Sequence, residues 1–249
     1  MNAQQHLVIR KDDWLTGLLE CTVYCVQLPE LLAPSAAVVE TELTDCLRDQ
    51  QNEGTLFAYA KVDVQALEKA HLLERVGFKL VDTSVGLECS RSPAMRSGSP
   101  SVVARLAEAS DAPAVVALAE NSFRFSRFHQ DAHIPPGVAD RIKAAWAANF
   151  FSGKRGEMMV VAESHGKVIG FLQLLLPPET ETLDIDLIGV DMTLRGQGTG
   201  RAMVEAACRL SGRERLKVGT QIANFGALAF YRRLGFGITS AAYVFHFHA

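Results

Sequence analysis

The chain has 249 residues, 48% hydrophobic and 21% charged, an ordinary globular composition with room for one large domain or two small ones. Its net charge of -3 divides into -6 over residues 1–95 and +3 over residues 96–249, and neither part is basic enough to point to nucleic acid. No apolar stretch approaches the roughly 18 residues of a membrane span, and Met1-Asn2-Ala3-Gln4-Gln5-His6 lacks the cationic start and apolar core of a secretory signal, so a cytoplasmic protein is expected.

Five cysteines, at 21, 25, 46, 89 and 208, are odd in number and scattered, which reads as thiols in a reducing compartment rather than a disulfide set. Further on, Lys61-Val62-Asp63-Val64, a helix over Gln65 to Arg75, and Val76-Gly77-Phe78-Lys79-Leu80-Val81 form a unit that returns late in the chain. Its echo runs from Gly219 to Ile222, through a helix ending at Arg233, to Leu234-Gly235-Phe236-Gly237-Ile238. Aligning the two Gly-Phe pairs sets Leu73 on Tyr231 and Ala66 on Asn224. The first copy has no Gly-rich turn upstream, and reads as half of a fold that kept its packing and lost its chemistry. Ser, Pro and Gly then crowd from Ser90 to Ser101. The expected division is a degenerate first domain over 1–92, a linker over 93–101 and a catalytic domain over 102–249.

After the linker, Val102-Val103-Ala104-Arg105 reads as a strand and Asp111-Ala112-Pro113 opens a helix with Pro in its first turn. A second helix covers Gly137 to Phe151, with Ile142, Trp146 and Phe150 at helical spacing. Strands follow from Met158 to Glu163 and from Lys167 to Leu176 around a His165-Gly166 turn, then from Leu183 to Val190. A Gly-rich turn, a helix from about Gly200 to Leu210, a strand from Arg215 to Gln221, a helix from Gly226 to Leu234 and a strand from Ala242 to His248 complete the chain. The order βααβββαβαβ predicts an α/β fold, a mixed sheet with helices on both sides.

In Arg195-Gly196-Gln197-Gly198-Thr199-Gly200 three glycines alternate between a strand and a helix. Glycine lets the backbone curl and approach a ligand closely. Successive N–H groups and the helix dipole then favour a phosphate or pyrophosphate, with Arg195 and Arg201 beside it. A Walker turn would need Lys and Ser or Thr after its last glycine, where Arg201-Ala202 stands. A dinucleotide turn has GxGxxG spacing and a longer βαβ series to follow.

These residues resemble the coenzyme A turn of the GNAT (Gcn5-related N-acetyltransferase) superfamily, Q/RxxGxG/A, matched by Arg195, Gly198 and Gly200 after Leu187-Ile188-Gly189-Val190-Asp191. The family's downstream Asn, Ala, Tyr and Gly-Phe stand here as Asn224, Ala227, Tyr231 and Gly235-Phe236. A narrower resemblance, carried by Val81-Asp82-Thr83, Ser126-Arg127-Phe128-His129 and Trp146 with Asn149, is to two-part bacterial acetyltransferases of the TDP-fucosamine type, which acylate the amine of a nucleotide-linked amino sugar.

The resemblance implies acetyl-CoA as co-substrate, held by Ile188, Gly189, Val190, Arg195, Gly196, Gln197, Gly198, Thr199, Gly200, Arg201, Asn224, Ala227 and Tyr231. It implies direct attack of a neutral amine, an oxyanion held by a backbone N–H near Val190, and Tyr231 as general acid to the departing thiolate. A phenol pKa near 10 suits that thiolate without a large shift. The bland reading of Tyr231 is packing on Phe236. Asp184 and Asp186 share one strand face and are candidate bases, with water and a merely solvated face as alternatives. Arg127, His129 and Asp131 are candidate substrate residues in a loop able to close over the acceptor. Arg124, Arg127, Lys154 and Arg155 are either solvated or aimed at nucleotide-sugar phosphates. No metal is expected, because Cys21 and Cys25 lack a second pair, and His246 and His248, on one strand face, lack a third ligand nearby in sequence. The expected partner is a small-molecule amine. A protein or antibiotic amine, or a non-catalytic acyl-CoA-binding role, is the alternative, and the first half packs either on the second or on another copy as a homodimer.

Overall fold

The computed structural model describes residues 6–32, 36–90 and 102–249; the first five residues and the expected linker over 93–101 lie outside them. In the first half, β1 (Val8–Lys11), α1 (Asp13–Leu19), β2 (Thr22–Gln27), α2 (Ala36–Gln51), β3 (Leu56–Asp63), α3 (Leu67–Val76) and β4 (Lys79–Cys89) follow one another. The second half begins with β5 (Val103–Leu106), α4 (Ala112–Ser122), α5 (Arg127–Gln130) and α6 (Pro136–Phe151). It continues through β6 (Met158–Ser164), β7 (Lys167–Leu175), β8 (Thr182–Val190), α7 (Thr199–Ser211), β9 (Arg215–Gln221), α8 (Phe225–Arg233) and β10 (Gly237–His248). Every strand and helix expected after the linker is present, and the mixed sheet with helices on both faces is the observed architecture. The additions are the single turn α5, two 3-10 turns at Ala109–Asp111 and Met192–Leu194, and five more residues at the start of β10.

The two halves do not make two sheets. Among the described residues all ten strands form one, in the order β1-β2-β3-β10-β4-β9-β8-β7-β6-β5. The last strand of each half is exchanged: β10 pairs antiparallel with both β3 and β4, and β4 pairs antiparallel with β9. The arrangement has a local two-fold between β10 and β4. It relates the parallel pair β2–β3 to the parallel pair β8–β9, and the unit β3-α3-β4 to β9-α8-β10.

The echo read from sequence is an equivalence of backbone. α3 ends at Gly77, φ 107°, with Gly77 N–H on the Glu74 carbonyl at 3.0 Å and Phe78 N–H on Leu73 at 2.9 Å. α8 ends the same way, with Gly235 at φ 93°, its N–H on Arg232 at 3.0 Å and Phe236 N–H on Tyr231 at 3.1 Å. A side chain at either glycine would sit in the left-handed region, which explains the Gly-Phe pairs.

One face of the sheet carries α2 and α3 over Val39, Leu43, Leu47, Leu73, Phe78 and Phe245, and α7 and α8 over Met203, Val204, Tyr231 and Phe236. The other face carries α1, α5 and α6 over Phe57, Phe128 and Ile142, and α4 and α6 over Met159, Phe171 and Leu187. Each fully buried large side chain contributes roughly 1.5–3 kcal/mol, so helices on both faces stabilise the exchanged strands.

Candidate active site

β8 and β9 pair only from Thr182 with Arg215 to Ile185 with Val218. Beyond that, β8 stays with β7 as far as Val190 while β9 stays with β4 as far as Gln221, so the two strands part into a wedge. A bulge sharpens it: Gln173 faces Leu187 and Leu174 faces Ile185, leaving Asp186 as the extra residue. Ile185 therefore packs under α7, and Leu187 packs on the opposite face with Phe171.

The glycine turn lies at the mouth of this wedge. Gly196 and Gly198 have φ of 80° and 88°, and Gly198 is the N-cap of α7. The first backbone bond of that helix is from Ala202 N–H to the Gly198 carbonyl, 3.0 Å, so the N–H groups of the preceding turn have no intrahelical acceptor. Thr199 Oγ1 is buried and without a hydrogen-bond partner. Gly200 lies where a Cβ would meet the Phe230 ring at 3.1 Å, which brings the start of α7 against α8. The turn fits a diphosphate by its free donors and the orphaned hydroxyl. The two arginines are occupied differently from a simple phosphate clamp. Arg195 donates to the carbonyls of Val190, 3.1 Å, and Ser122, 2.8 Å, bracing the turn, while Arg201 reaches Glu205 and the Arg233 carbonyl.

On α8, Asn224 caps the helix, its Oδ1 accepting from Ala227 N–H at 3.1 Å. Tyr231, two turns on, is buried against Phe230 and Phe236 with ring centroids 5.1 and 5.2 Å away. Burial drives its phenol pKa upward, contrary to the expectation that no shift was needed. The phenol is thus a weaker acid than a free tyrosine and stays protonated at neutral pH.

The two carboxylates of β8 differ. Asp186 Oδ2 accepts from Trp146 Nε1 at 2.8 Å, Arg155 Nε at 2.8 Å and Gln173 Nε2 at 3.0 Å, and Oδ1 accepts from Arg155 at 2.6 Å. It is neither solvated nor a free acceptor. Asp184, opposite Lys217 in the paired part of the wedge, has a buried Oδ1 with no partner.

Asp186 also marks the edge of a buried polar region beneath α5 and α6, where segments distant in sequence meet. Arg127, expected at a loop surface, is half-buried with its guanidinium 3.8 Å from the Tyr59 ring centroid, and its Nη1 is enclosed without a partner. Lys143 is buried with Nζ 4.6 Å from the Trp146 ring and within electrostatic reach of Arg127, Asp186, Lys61 and Arg155. Burial lowers the pKa of Lys143 to about 8 and lowers those of Lys61 and Arg127. Burial also raises Asp82, on β4 near Lys61 and Arg127, to about 6. Asp82, Arg127 and Trp146 carry the narrower family resemblance, and they converge here. Lys61 and Lys143 were not singled out by sequence. The available signal was a lysine three residues before Trp146, on the apolar side of its helix.

His129 and Asp131 are not free to meet a substrate as a mobile loop. His129 holds Ser126 Oγ through Nδ1 at 2.6 Å and Asp140 through Nε2 at 3.0 Å. Asp131 is buried, its Oδ2 in contact with His246 Nδ1 at 2.6 Å and His248 Nε2 at 2.7 Å, and its Oδ1 accepting from His133 N–H at 2.9 Å. The third potential ligand missing from the sequence around His246 and His248 is therefore supplied by the chain between α5 and α6, and the ground for excluding a metal there falls. Burial pushes the Asp131 carboxyl up, but the two imidazoles outweigh it and hold it well below the usual range. Burial lowers His246 to about 4.

Comparison with known proteins agrees with this geometry. Residues 120–236 match the Acetyltransferase (GNAT) family. The spore coat polysaccharide biosynthesis protein SpsD of Bacillus subtilis is 25% identical over 94% of this chain and 80% of its own length. The dTDP-fucosamine acetyltransferase of Escherichia coli is 28% identical over 74% of this chain and 78% of its own. Among solved structures, a GCN5-related N-acetyltransferase from Sphaerobacter thermophilus superimposes with a TM-score of 0.69 at 14% identity, over 97% of this chain and 76% of that one. A tandem GNAT protein from the clavulanic acid biosynthesis pathway gives 0.65 at 12% identity, over 91% and 75%. The wedge, the glycine turn and these matches together identify residues 120–236 as a GNAT acetyltransferase domain, in a chain that resembles N-acetyltransferases of the fucosamine type.

Proposed function

We propose that the protein transfers the acetyl group of acetyl-CoA to the amino group of a nucleotide-linked amino sugar. The observation that carries the acceptor is the cation cluster beside the wedge, buried Lys143 with half-buried Arg127 and exposed Lys61, in which one enclosed Arg127 donor is unsatisfied. Lys61, Arg127, Lys143 and Arg155 outnumber the nearby carboxylates Asp12, Asp82 and Asp186, and a diphosphate neutralises that positive excess whereas a cationic amine does not.

In this reading the coenzyme A diphosphate rests on the N–H groups of 196–201 and the thioester enters the wedge along β8. The acceptor phosphates lie on the cations under α6, which points the sugar amine at the wedge from the other face. The neutral amine nitrogen attacks the thioester carbon, the C–S bond breaks, and the thiolate takes the Tyr231 proton. Of the two carboxylates, Asp184 has the acceptor atom free to take the ammonium proton, directly or through water. Asp186 is a positioning residue that holds Trp146 and Arg155.

The test is thiol release from acetyl-CoA with TDP-4-amino-4,6-dideoxygalactose, the corresponding free sugar, and a polyamine. Turnover with the nucleotide sugar well above that with the other two is expected, together with a roughly 100-fold loss of kcat in Tyr231→Phe. No release above hydrolysis with any nucleotide amino sugar removes the acceptor assignment. Unchanged kcat in Tyr231→Phe removes the acid.

A further inference from the structure

The chain contains two pairs of potential ligands, each pair separated by one residue: Asp131 and His133 between α5 and α6, and His246 and His248 at the end of β10. A spacing of two on a strand puts both imidazoles on one face. That face is turned toward Asp131, and one ligand atom from each of Asp131, His246 and His248 lies within 4.8 Å of the other two. His133 completes the group, with Nδ1 3.3 Å from Asp131 Oδ1 and its ring stacked on His248 at 4.7 Å.

The site is held in place from several sides. The side chains of Asp131 and His246 are 2% and 1% exposed. Phe57 packs edge-on against His246 at 4.7 Å and tilted against His248 at 4.9 Å, which fixes both rings. The His133 N–H orients the carboxylate. His248 and His133 are accessible, with side chains 26% and 68% exposed, so an ion has a path in.

We propose that Asp131, His246 and His248, with His133 as the fourth donor, bind one divalent cation of the zinc class, clamping the end of β10 to the connection between α5 and α6. Imidazole nitrogens and a carboxylate oxygen form a donor set for zinc and its neighbours, and four such donors satisfy its preference for tetrahedral coordination. Ligand bonds of about 2.0–2.1 Å place donor atoms of a tetrahedral ion roughly 3.3–3.4 Å apart, so the present contacts to Asp131 Oδ2 open by less than about 1 Å on loading. The consequence is mechanical. β10 belongs to the second half but lies between β3 and β4 of the first, and its far end is held by backbone bonds to β3 together with this cluster. A cation there cross-links the exchanged strand to the helical layer that carries Arg127 and Lys143. The proposal is independent of the acceptor.

The experiment is a titration of chelator-treated full-length protein with zinc chloride by calorimetry, with thermal unfolding followed in parallel and cobalt(II) as a spectroscopic probe. One saturable site per chain is expected, with Tm rising by roughly 5–10 °C at about 100-fold excess over Kd. Cobalt should show the intense visible bands of a four- or five-coordinate centre. His248→Gln and Asp131→Asn should each weaken binding at least about 10-fold, and His165→Gln, at an exposed turn, should not change it. No saturable zinc binding, cobalt bands like those of the aquo ion, or wild-type affinity in His248→Gln overturns the proposal. Were both ligand variants to unfold, the cobalt spectrum of the wild-type protein decides.

Discussion

Ala66 and Asn224 occupy the same backbone position at the N-caps of α3 and α8, with φ/ψ of -91°/59° and -85°/66°. Only Asn224 uses it to cap, through Oδ1 and Ala227 N–H. Asn224→Ala is therefore expected to cost about 1 kcal/mol. Ala66→Asn should stabilise by about 0.5 kcal/mol, the low end, because Lys69 N–H already turns back to the Ala66 carbonyl at 3.0 Å. Urea midpoints at constant m measure both, and a destabilised Ala66→Asn would contradict the equivalence of the two units.

The exchange of β4 and β10 makes neither half self-sufficient. A fragment over 102–249 lacks β4, which fills the space between β9 and β10 with Val85, Leu87 and Cys89 in the shared core. Expressed alone it should lack cooperative unfolding and acetyl-CoA binding, and co-expression with residues 1–92 should restore both. Circular dichroism melts and calorimetry check this. A fragment that melts cooperatively and binds acetyl-CoA by itself would show that the expected domain division is also an energetic one.

What was legible in the sequence follows from how local each signal is. The glycine turn, the helix-ending Gly77 and Gly235, and the periodic helices are set by residues within one or two turns, and each has the position expected. The echo of β3-α3-β4 in β9-α8-β10 was visible because Gly-Phe follows a helix in both. The exchange was not, because strand pairing is decided between residues such as Tyr243 and Thr83 that lie far apart in the chain and carry no shared pattern. For the same reason Arg127 read as surface and His246 as a strand end. Their burial depends on α5 and α6 folding over β3 and β10, which no window around either residue records.

Gly200→Ala tests how the turn is held. The new methyl would meet Phe230 at 3.1 Å and push the start of α7 from α8, so acetyl-CoA affinity should fall at least about 10-fold while the fold persists. Gly17→Ala, in α1, places its methyl where no atom lies within 4 Å, so it should leave affinity unchanged and the protein slightly more stable. Calorimetric titration with coenzyme A measures the pair. Equal affinity in wild type and Gly200→Ala would mean that the turn does not grip the diphosphate.

The carboxylates of β8 should separate by phenotype. Asp186→Asn removes the charge that Arg155 and Trp146 hold, so it is expected to destabilise by roughly 3 kcal/mol and raise the acceptor KM. Asp184→Asn keeps the fold and should lower kcat by about 10- to 100-fold if its free oxygen takes the proton. Steady-state kinetics with urea melts on both variants distinguish the roles, and an unaffected kcat in Asp184→Asn assigns the proton to water.

Asp82 gives a pH signature of the buried region. Burial raises its pKa to about 6, above the roughly 3.9 of an unfolded aspartate. A carboxyl with a raised folded pKa contributes stability that is fully present below about pH 4 and lost as pH climbs through about 6, because above that the folded state must carry a poorly solvated anion. Asp82→Asn has no proton to lose. It should match the wild type near pH 4 and exceed it at pH 7–8 by on the order of 2 kcal/mol. Denaturant unfolding of both proteins at the two pH values decides: a deficit for the variant at pH 8 would mean that Lys61 and Arg127 stabilise the Asp82 anion more than burial penalises it.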